Sequence, residues 1–355
     1  MSKVEELLAK YNPNGVSSIS LADVLDYEQP SRFIVSSSEY DDNYDIPVLT
    51  AGQTFILGYT NEKEGVYKAS KNNPTIIFDD FTTGYHWVDF DFKVKSSAMK
   101  MLRLKNNKSL LRYVFHSMAL INYSPTEHSR QWISKYSHFE IPLPHIKVQE
   151  EIVKILDSFT NLIDALNEEL SLRQKQFEYY REKLLNSKEC SYTEKLQFFA
   201  KIMNGKDYKH LGEGNIPLMG SGGVMGYVDS SLYEKVSVLL PRKGSIDKVY
   251  YIEEPFWTVD TLYWTKIDDN KIIPKFLYYV LSSIHIEKYA LQGGIPSLTQ
   301  SILYNIDIPK IDKTIQQSIV EKLDAFESLI SSLKEEIALR QKQYEYYREK
   351  LLTFE

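Results

Sequence analysis

Residues 173–185 read RQKQFEYYREKLL, and residues 340–352 read RQKQYEYYREKLL. The two blocks lie 167 residues apart and are identical at twelve of thirteen positions, the exception being Phe177 against Tyr344. A repeat of this length and identity indicates that the chain contains two copies of one structural unit. Further pairs upstream keep the same spacing: Ile152/Ile319, Leu156/Leu323, Asp157/Asp324, Phe159/Phe326, Ile163/Ile330, Leu166/Leu333 and Glu169/Glu336.

Both copies carry the apolar pattern of a coiled coil. Apolar residues are spaced alternately by four and three positions for more than four heptads, without glycine or proline. The spacing predicts two helices of about 35 residues, each roughly 50 Å long, which pair antiparallel about a pseudo-two-fold axis. The predicted pairing residues are Ile152, Leu156, Phe159, Ile163, Leu166 and Leu170 in the first copy and Ile319, Leu323, Phe326, Ile330, Leu333 and Ile337 in the second.

Polar residues on and beside this seam allow two interpretations each. Arg173 and Arg340 interrupt the seams at equivalent positions. They either fix the register of the pair or bend their stems over the seam and expose their heads. Tyrosine and arginine beside the seam are typical anchors for another protein, although an ordinary solvated helix face is the alternative. The candidate partner-docking residues are Tyr179, Arg181, Tyr346 and Arg348.

The segments outside the repeat are more variable and mix two kinds of pattern. Runs of β-branched and aromatic residues predict strands at 75–78, 236–240 and 248–252. Helical patterns follow at 109–121 and 274–290. The predicted fold class is therefore α+β, with two mixed α/β domains separated by the two long helices. The predicted divisions are a first domain at 1–145, a first helical spacer at 146–190, a second domain at 191–308 and a second helical spacer at 309–355.

The variable domains contain possible DNA contacts. Between Lys93 and Arg112 there are seven basic residues and no acid, and polar or basic turns follow predicted strands. Such loops can contact phosphates and base edges, although a charge run is more often a solvated face. The candidate DNA-binding residues are Thr82, Thr83, Tyr85, His86, Lys93, Lys95, Lys100, Arg103 and Lys105 in the first domain and Ser221, Tyr227, Arg242, Lys243, Ser245 and Lys248 in the second.

The sequence contains no recognisable catalytic motif. The glycine-rich stretch 220–226 lacks the lysine and hydroxyl residue of a P-loop and favours a tight turn. Asp79, Asp80 and Asp91 loosely resemble the carboxylates of a metal-dependent nuclease, but the period-two pattern of residues 88–94 favours a surface strand. The seven histidines are scattered, without metal-ligand spacing. We therefore expect a chain that is not an enzyme and holds no metal or cofactor.

Composition and charge bound the remaining possibilities. The chain has 355 residues, 43% of them hydrophobic, which is enough for two globular domains. The single cysteine, Cys190, excludes a disulfide framework, and neither a signal peptide nor a membrane span is recognisable. We therefore expect a cytoplasmic protein. The net charge of −6 is spread over the four predicted segments as −2, −2, −1 and −1. The chain alone should thus bind DNA weakly, because phosphate neutralisation dominates affinity.

The whole chain resembles the specificity subunit of type I restriction–modification systems. The duplicated helices carry the resemblance, together with the proline-marked stretches 141–144 and 308–309 that precede them. Residues 243–250 (KGSIDKVY) and 88–92 (VDFDF) also look like this family. One departure lies just before the second helix, where residues 310–316 form a stretch two residues longer than its counterpart at 145–149.

The resemblance implies two target-recognition domains, each reading half of a bipartite site in double-stranded DNA, separated by two long conserved helices. It implies that these helices bind two methyltransferase subunits, which restriction (translocase) subunits then join. S-adenosylmethionine, ATP and magnesium would act in those partner subunits. A rigid helical pair would fix the separation of the half-sites. Two other classes stay open, namely a stand-alone nuclease using Asp79, Asp80 and Asp91, and a coiled-coil scaffold that binds only proteins.

Overall fold

The structure is a computed structural model that divides into two compact units. One unit contains residues 1–165 and 337–355, and the other contains residues 166–336. Each unit therefore combines one variable domain with part of each repeated segment. Among the residues that the structure describes, no helix is long and apolar enough to cross a membrane. The described residues are 2–50, 52, 54–187, 190, 192–290 and 296–354.

The variable domain of the first unit is built on two sheets. Its elements are α1 (Lys3–Tyr11), β1 (Ser17–Ser20), α2 (Leu21–Val24), β2 (Leu25–Glu28), β3 (Ile46–Leu49), β4 (Ile56–Thr60), β5 (Thr75–Asp79), β6 (Tyr85–Val88), β7 (Lys93–Val94), β8 (Met99–Leu104), α3 (Leu111–Met118) and β9 (Glu140–Leu143). The strand order is β2-β8-β5-β6 in the larger sheet and β4-β3-β7 in the smaller one. Strands β1 and β9 form an antiparallel ribbon at the two ends of the domain.

The variable domain of the second unit repeats this plan. Its elements are β10 (Thr193–Lys195), α5 (Leu196–Phe199), β11 (Ala200–Asn204), β12 (Glu213–Gly220), β13 (Gly223–Val228), β14 (Ser237–Pro241), β15 (Tyr250–Ile252), β16 (Trp257–Thr258), β17 (Leu262–Ile267), α6 (Pro274–Ser283), α7 (Gln300–Tyr304) and β18 (Asp307–Pro309). The sheet orders are β11-β17-β14-β15 and β13-β12-β16, and β10 pairs with β18. The two variable domains thus share one topology, although their sequences have diverged.

Most of the predicted local structure is confirmed, with one exception. Strands β5 and β14 lie where β-branched runs predict them, and the glycine-rich stretch forms the tight turn between β12 and β13. The prediction of a single surface strand over residues 88–94 is wrong. Val88 ends β6 in the larger sheet, whereas Val94 lies in β7 of the smaller sheet. Phe92, between them, is fully buried, because the chain crosses from one sheet to the other through the core.

The two repeated segments form the predicted antiparallel pair. Helices α4 (Ile146–Leu185) and α8 (Lys313–Leu352) are each 40 residues long. In the first unit Phe159 stacks on Tyr347, with ring centroids 5.3 Å apart and planes 22° from parallel. In the second unit the equivalent residues, Tyr180 and Phe326, stack at 5.5 Å and 21°. Within each unit the beginning of one helix packs against the end of the other, with nearly the same geometry.

Burial along the helices follows the predicted seam. Ile152, Leu156 and Leu323 are buried, as are Ile319, Leu333 and Ile337, and the other predicted pairing residues are half-buried. The guanidinium groups of Arg173 and Arg340 hydrogen-bond to glutamines three residues later on their own helices, at 3.0 and 2.9 Å. A role of these arginines in fixing the register stays a prediction.

A buried glutamine joins each long helix to its variable domain. Gln149 Oε1 accepts hydrogen bonds from Leu110 N and Ser109 Oγ at the start of α3, both at 2.9 Å. Gln316 Oε1 accepts from Ile273 N, at 2.7 Å, at the start of α6. These side chains satisfy amide groups that a helix N-terminus otherwise leaves unpaired. The longer stretch before α8 therefore leaves the equivalent contact in place.

Candidate DNA interface and partner-docking surfaces

In the second domain, two loops that contain predicted DNA-binding residues meet. The β12–β13 turn contacts the strand after the second loop, because Tyr250 Oη donates a hydrogen bond to Ser221 O at 2.8 Å. Ser221 N donates to Thr261 Oγ1 at 3.1 Å, and Thr261 O accepts from Arg242 N at 3.0 Å. Gly244, at φ +88°, lies so close that a Cβ there would approach Ser221 Oγ to 2.8 Å. The fold thus brings the two predicted loops into one cluster.

The side chains of this cluster offer both positive charge and apolar surface. Lys243 Nζ lies 2.7 Å from Asp260 Oδ2, and its hydrogen bond is the main reason that the pKa of Asp260 is lowered. Arg242 donates to Asp260 O at 3.3 Å. Lys248 is exposed, and Ser245 is partly exposed. On β13 three apolar side chains are more than half exposed, namely Val224, Met225 and Tyr227.

In the first domain the corresponding turn between β5 and β6 is held in a strained shape. Asp79 Oδ1 accepts hydrogen bonds from Phe81 N and Thr82 N, at 2.8 and 3.0 Å. Thr83 has a φ of +61°, which costs a β-branched residue about 1–2 kcal/mol. Thr83 is nearly buried, whereas Thr82 is exposed. Strain of this kind is often found where a loop contacts a ligand.

The next two predicted residues of this domain point in different directions. His86 stacks on Phe55 at 4.6 Å, and its Nε2 lies 3.4 Å from Gly52 O, beside the β3–β4 turn. Burial lowers the pKa of His86. Tyr85 packs edge-on against Phe115, and burial raises the pKa of its phenol. Thus His86 lies beside the hairpin turn, as Tyr250 does in the second domain, whereas Tyr85 belongs to the core.

The basic run of the first domain does not form one exposed surface. Lys93 is 3% exposed, and its Nζ contacts Glu62 Oε2 at 2.8 Å. Lys100 is fully buried, with Nζ 3.0 Å from Asp80 Oδ2. The run crosses β7 and β8, where residues 93–94 and 99–102 are all buried, so that the lysines within these stretches lie inside the protein. Three basic residues of the run that are not buried also have partners. Lys95 donates to Tyr40 Oη at 3.1 Å, Arg103 pairs with Glu28, and Lys105 donates to Ala22 O.

The three carboxylates of the nuclease hypothesis each have a local structural role. Asp79 caps the β5–β6 turn, Asp80 pairs with Lys100, and Asp91 pairs with exposed Lys68 at 2.6 Å. Within the described part of the chain, no group of three or more His, Cys, Asp or Glu residues is arranged to hold a metal ion.

The predicted docking tyrosines are exposed, but the arginines beside them are not free. Tyr179 and Tyr346 are 58% and 59% exposed. Arg181 pairs with Glu178 and lies 5.3 Å from the Phe177 ring centroid, and Arg348 lies 5.3 Å from that of Tyr344. Each arginine therefore folds back over its own helix.

Sequence reasoning missed an exposed leucine beside each docking tyrosine. Leu172 and Leu339 occupy equivalent positions and are 59% and 61% exposed. Each lies two helical turns before a docking tyrosine, on the same helix face. We name Leu172 with Tyr179, and Leu339 with Tyr346, the two docking patches. The sequence did contain a signal for these leucines, because an apolar residue outside the coiled-coil seam occurs at the same position in both repeats.

Sequence reasoning also missed how each variable domain rests on a long helix. In the first unit, His116 Nε2 lies 2.8 Å from Asp157 Oδ1, and Nδ1 lies 3.0 Å from Tyr344 Oη. A neutral imidazole with its proton on Nε2 satisfies both contacts. Arg112 Nε donates to the same carboxylate at 2.7 Å. Asp157 therefore anchors α3 to α4 and is linked through His116 to α8.

This arrangement predicts that acid destabilises the first unit. Burial lowers the pKa of His116 below its ordinary 6.5, although Asp157 opposes the shift; Arg112 and Arg348 add to it. Since the unfolded chain then takes up the proton first, stability should be present above about pH 6.5 and fall as the pH drops further. Burial alone would raise the pKa of Asp157, but hydrogen bonds from His116 and Arg112 lower it, so its own contribution is lost only in stronger acid.

Urea unfolding at pH 7.5 and pH 5.5 checks this prediction with His116→Gln as the comparison. The wild-type chain should lose more stability between the two pH values than the variant. An equal loss in both chains would show that His116 does not carry the pH dependence.

Comparison with known proteins identifies the family. A family described as the type I restriction modification DNA specificity domain matches residues 13–172 and 187–339, and the chain belongs to it. Its role is DNA sequence recognition within a type I restriction–modification complex, without catalysis of its own.

Individual relatives agree over nearly the full chain. The chain is 40% identical to the EcoR124I/EcoR124II specificity subunit of Escherichia coli, over 100% of this chain and 97% of that one. It is 30% identical to a putative type I specificity subunit of Haemophilus influenzae, over 85% and 86%. The crystal structure of the Mycoplasma genitalium S subunit has the same fold, with a TM-score of 0.67 at 17% identity over 95% and 96%.

Proposed function

We propose that each variable domain reads one half of a bipartite DNA site and that the α4–α8 pair holds the two domains for a methyltransferase. The observation that supports this most directly is one domain topology that occurs twice, with different loops, on two related helices that end in a nearly identical block of thirteen residues. Different loops suit two different half-sites, and a nearly identical block at the end of each helix suits two identical partners. In this proposal the helices act as a spacer, so that the half-sites keep a fixed separation.

The proposed DNA surface is narrower than the sequence suggests. In the second domain it is the cluster of the β12–β13 turn and the loop after β14. In the first domain it is the β5–β6 turn with His86 and Lys95. We leave out Lys93, Lys100 and Tyr85, because their side chains are buried or packed in the core, and Thr83 acts by shaping the turn. The residues retained are Thr82, His86, Lys95, Ser221, Tyr227, Arg242, Lys243, Ser245 and Lys248, with Arg103 and Lys105 at the margin.

Partner subunits supply the rest of the activity in this proposal. The chain has a net charge of −6, so much of the attraction to DNA phosphates must come from proteins bound to it. Two methyltransferase subunits would occupy the docking patches, and restriction subunits would join them. S-adenosylmethionine, ATP and magnesium would act in those partners, and the assembled complex would work in the cytoplasm.

Removing one docking patch should remove one methyltransferase subunit. For Leu172→Ala with Tyr179→Ala we expect a complex of one specificity chain and one methyltransferase. Loss of central apolar and aromatic anchors costs about 2 kcal/mol or more, roughly thirtyfold in affinity. Native mass spectrometry measures the stoichiometry directly.

The second patch supplies the matched experiment. Leu339→Ala with Tyr346→Ala should give the same loss, and all four changes together should prevent assembly. Gln174→Ala with Gln341→Ala, exposed residues on another face of the same helices, should leave two methyltransferases bound. Two bound subunits in the four-residue variant would contradict the patches as docking sites.

A map of adenine methylation tests the proposed function as a whole. With this chain and a cognate methyltransferase present, one bipartite sequence should become methylated, and without the chain it should not. Replacing residues 193–309 by the equivalent domain of a relative should change one half-site alone. The β10–β18 ribbon joins the ends of that segment, so it offers natural junctions. A change in both half-sites would contradict the modular reading.

The same preparation separates the two other classes of function. Cleavage of DNA by the chain alone with magnesium would favour a nuclease. Failure to direct any methylation would favour a scaffold that binds only proteins.

A further inference from the structure

The contact between variable domain and long helix is chemically different in the two units. Helices α3 and α6 begin one residue after Leu110 and Ile273, and Gln149 and Gln316 cap these starts. Counting from the start of each helix, His116 and Tyr279 are therefore equivalent residues. His116 contacts Asp157, and Tyr279 contacts Asp324, the aspartate at the same position in the second repeat.

In the second unit a phenol replaces the imidazole. Tyr279 Oη lies 2.5 Å from Asp324 Oδ1 and 2.9 Å from Glu327 Oε2. The phenol can donate its one proton to only one of the two carboxylates. A positive charge is therefore needed nearby to offset the repulsion between them. Lys275 Nζ supplies it, 3.2 Å from Glu327. Burial, together with both carboxylates, raises the pKa of Tyr279, so this phenol stays a donor.

The long helices differ at the positions that these contacts use. The first seat is Asp157, Thr160 and Tyr344, and the second seat is Asp324, Glu327 and Phe177. Tyr344 against Phe177 is the single difference in the thirteen-residue repeated block. The Tyr344 hydroxyl serves His116 Nδ1 at 3.0 Å. The Phe177 ring meets Tyr279 edge-on at 6.4 Å, where the phenol hydroxyl already has its partners.

The other difference between the seats is also matched. Arg112 donates to Asp157 and reaches Thr160 Oγ1 at 3.4 Å, so one carboxylate serves two donors. Glu327 adds a second carboxylate where Lys275 and Tyr279 need one. A histidine at the position of Tyr279 would turn its Nδ1 towards Phe177, which has no polar group to offer. A buried nitrogen without a hydrogen-bond partner is costly.

We propose that these contacts are two matched seats, so that each recognition domain is held firmly only where the long-helix residues fit its own helix, α3 or α6. This rests on the proposed function for the half-sites, but the matching itself can be measured without DNA.

Amide hydrogen exchange of α3 and α6 in the full-length chain tests the matching. Tyr344→Phe should speed exchange of residues 111–118 about tenfold, the size expected when a buried polar group loses its partner. The reciprocal Phe177→Tyr should leave exchange of residues 274–283 unchanged. Equal responses of the two helices would overturn the proposal.

Conversion of one seat into the other gives the sharper result. His116→Tyr alone should speed exchange of α3, and adding Thr160→Glu with Tyr344→Phe should restore it. The mirror set is Tyr279→His, rescued by Glu327→Thr with Phe177→Tyr. A converted seat that protects no better than the single substitution would overturn the proposal. Tyr344→Phe stays informative even where a larger change prevents folding.

A chimera links the seats to DNA recognition. Residues 193–309 replace residues 17–143, so that the second domain occupies both places; the β1–β9 and β10–β18 ribbons define the junctions. With methyltransferase present, the chimera should methylate its symmetric site faster when it also carries Thr160→Glu and Tyr344→Phe, by about tenfold if the methylation rate follows the free energy of the matched contact. Equal rates would overturn the link between the matched seats and DNA recognition. No methylation by either chimera, with seat-dependent exchange intact, would instead overturn the proposed function.

Discussion

Asp80→Asn should destabilise the first unit by about 3–5 kcal/mol, the cost of leaving a buried charge without its partner. Lys100 is fully buried, and Asp80 is 1% exposed. Lys100 Nζ lies 3.0 Å from Asp80 Oδ2, as an ion pair rather than an aligned hydrogen bond. Asparagine keeps the oxygen that accepts from Trp132 N at 2.8 Å. The substitution therefore keeps this contact and removes the charge that faces Lys100 and, at 3.5 Å, the half-exposed Arg130.

Urea unfolding measures this loss against two comparisons. Asp91→Asn breaks the exposed pair with Lys68, whose side chains are 38% and 75% exposed, and should cost about 0–1 kcal/mol. Asp80→Asn with Lys100→Met should recover most of the stability, because neither residue is then a buried charge. A loss for Asp80→Asn no larger than that for Asp91→Asn would contradict the assignment of the pair.

Under the proposed function, the Asp80 pair also connects stability to DNA recognition. Asp80 follows β5 directly and precedes the strained turn at Thr83. Its backbone oxygen accepts from Gln131 N at 2.7 Å, so it ties that turn to the segment before β9. We therefore expect Asp80→Asn to disturb reading of the first half-site and to leave the second half-site unchanged.

The sequence predicted the helix pair because its evidence is redundant. A seam that repeats over many heptads, in two copies, leaves one partner of matching length and character. The stacked pairs Phe159–Tyr347 and Tyr180–Phe326 lie on that seam. By contrast, the strand order shared by the two variable domains could not be predicted from the sequence. Many different sequences satisfy the burial and turn geometry on which that order depends.

The exposure of the basic residues was predicted less well, for an electrostatic reason. A run of basic residues in the sequence does not show which of its lysines form buried ion pairs with carboxylates in the folded protein. Lys93 meets Glu62, and Lys100 meets Asp80, across strand pairings that the local sequence does not encode. In the second domain Arg242 and Lys243 follow a strand directly, so their place at its end was predictable.

Leu156→Ala and Leu323→Ala should each cost about 2–5 kcal/mol, as large-to-small changes in a packed core do. Both side chains are fully buried on the seam, at equivalent positions of α4 and α8. Leu156 packs in a cluster with Ile152 and Leu352 of the first unit. Leu323 packs with Ile319 and Leu277 of the second unit. Each substitution should therefore loosen its own unit first.

The helices contain their own matched control. Leu172→Ala and Leu339→Ala remove the same atoms from side chains that are 59% and 61% exposed, and should change the stability of the isolated chain by no more than about 0.5 kcal/mol. Urea unfolding gives the cost, and amide exchange in each unit gives its location. Equal costs at buried and exposed leucines would contradict the seam. The expected pattern would separate the two duties of one duplicated helix, since Leu156 and Leu323 hold the pair together while Leu172 and Leu339 stay available for partners.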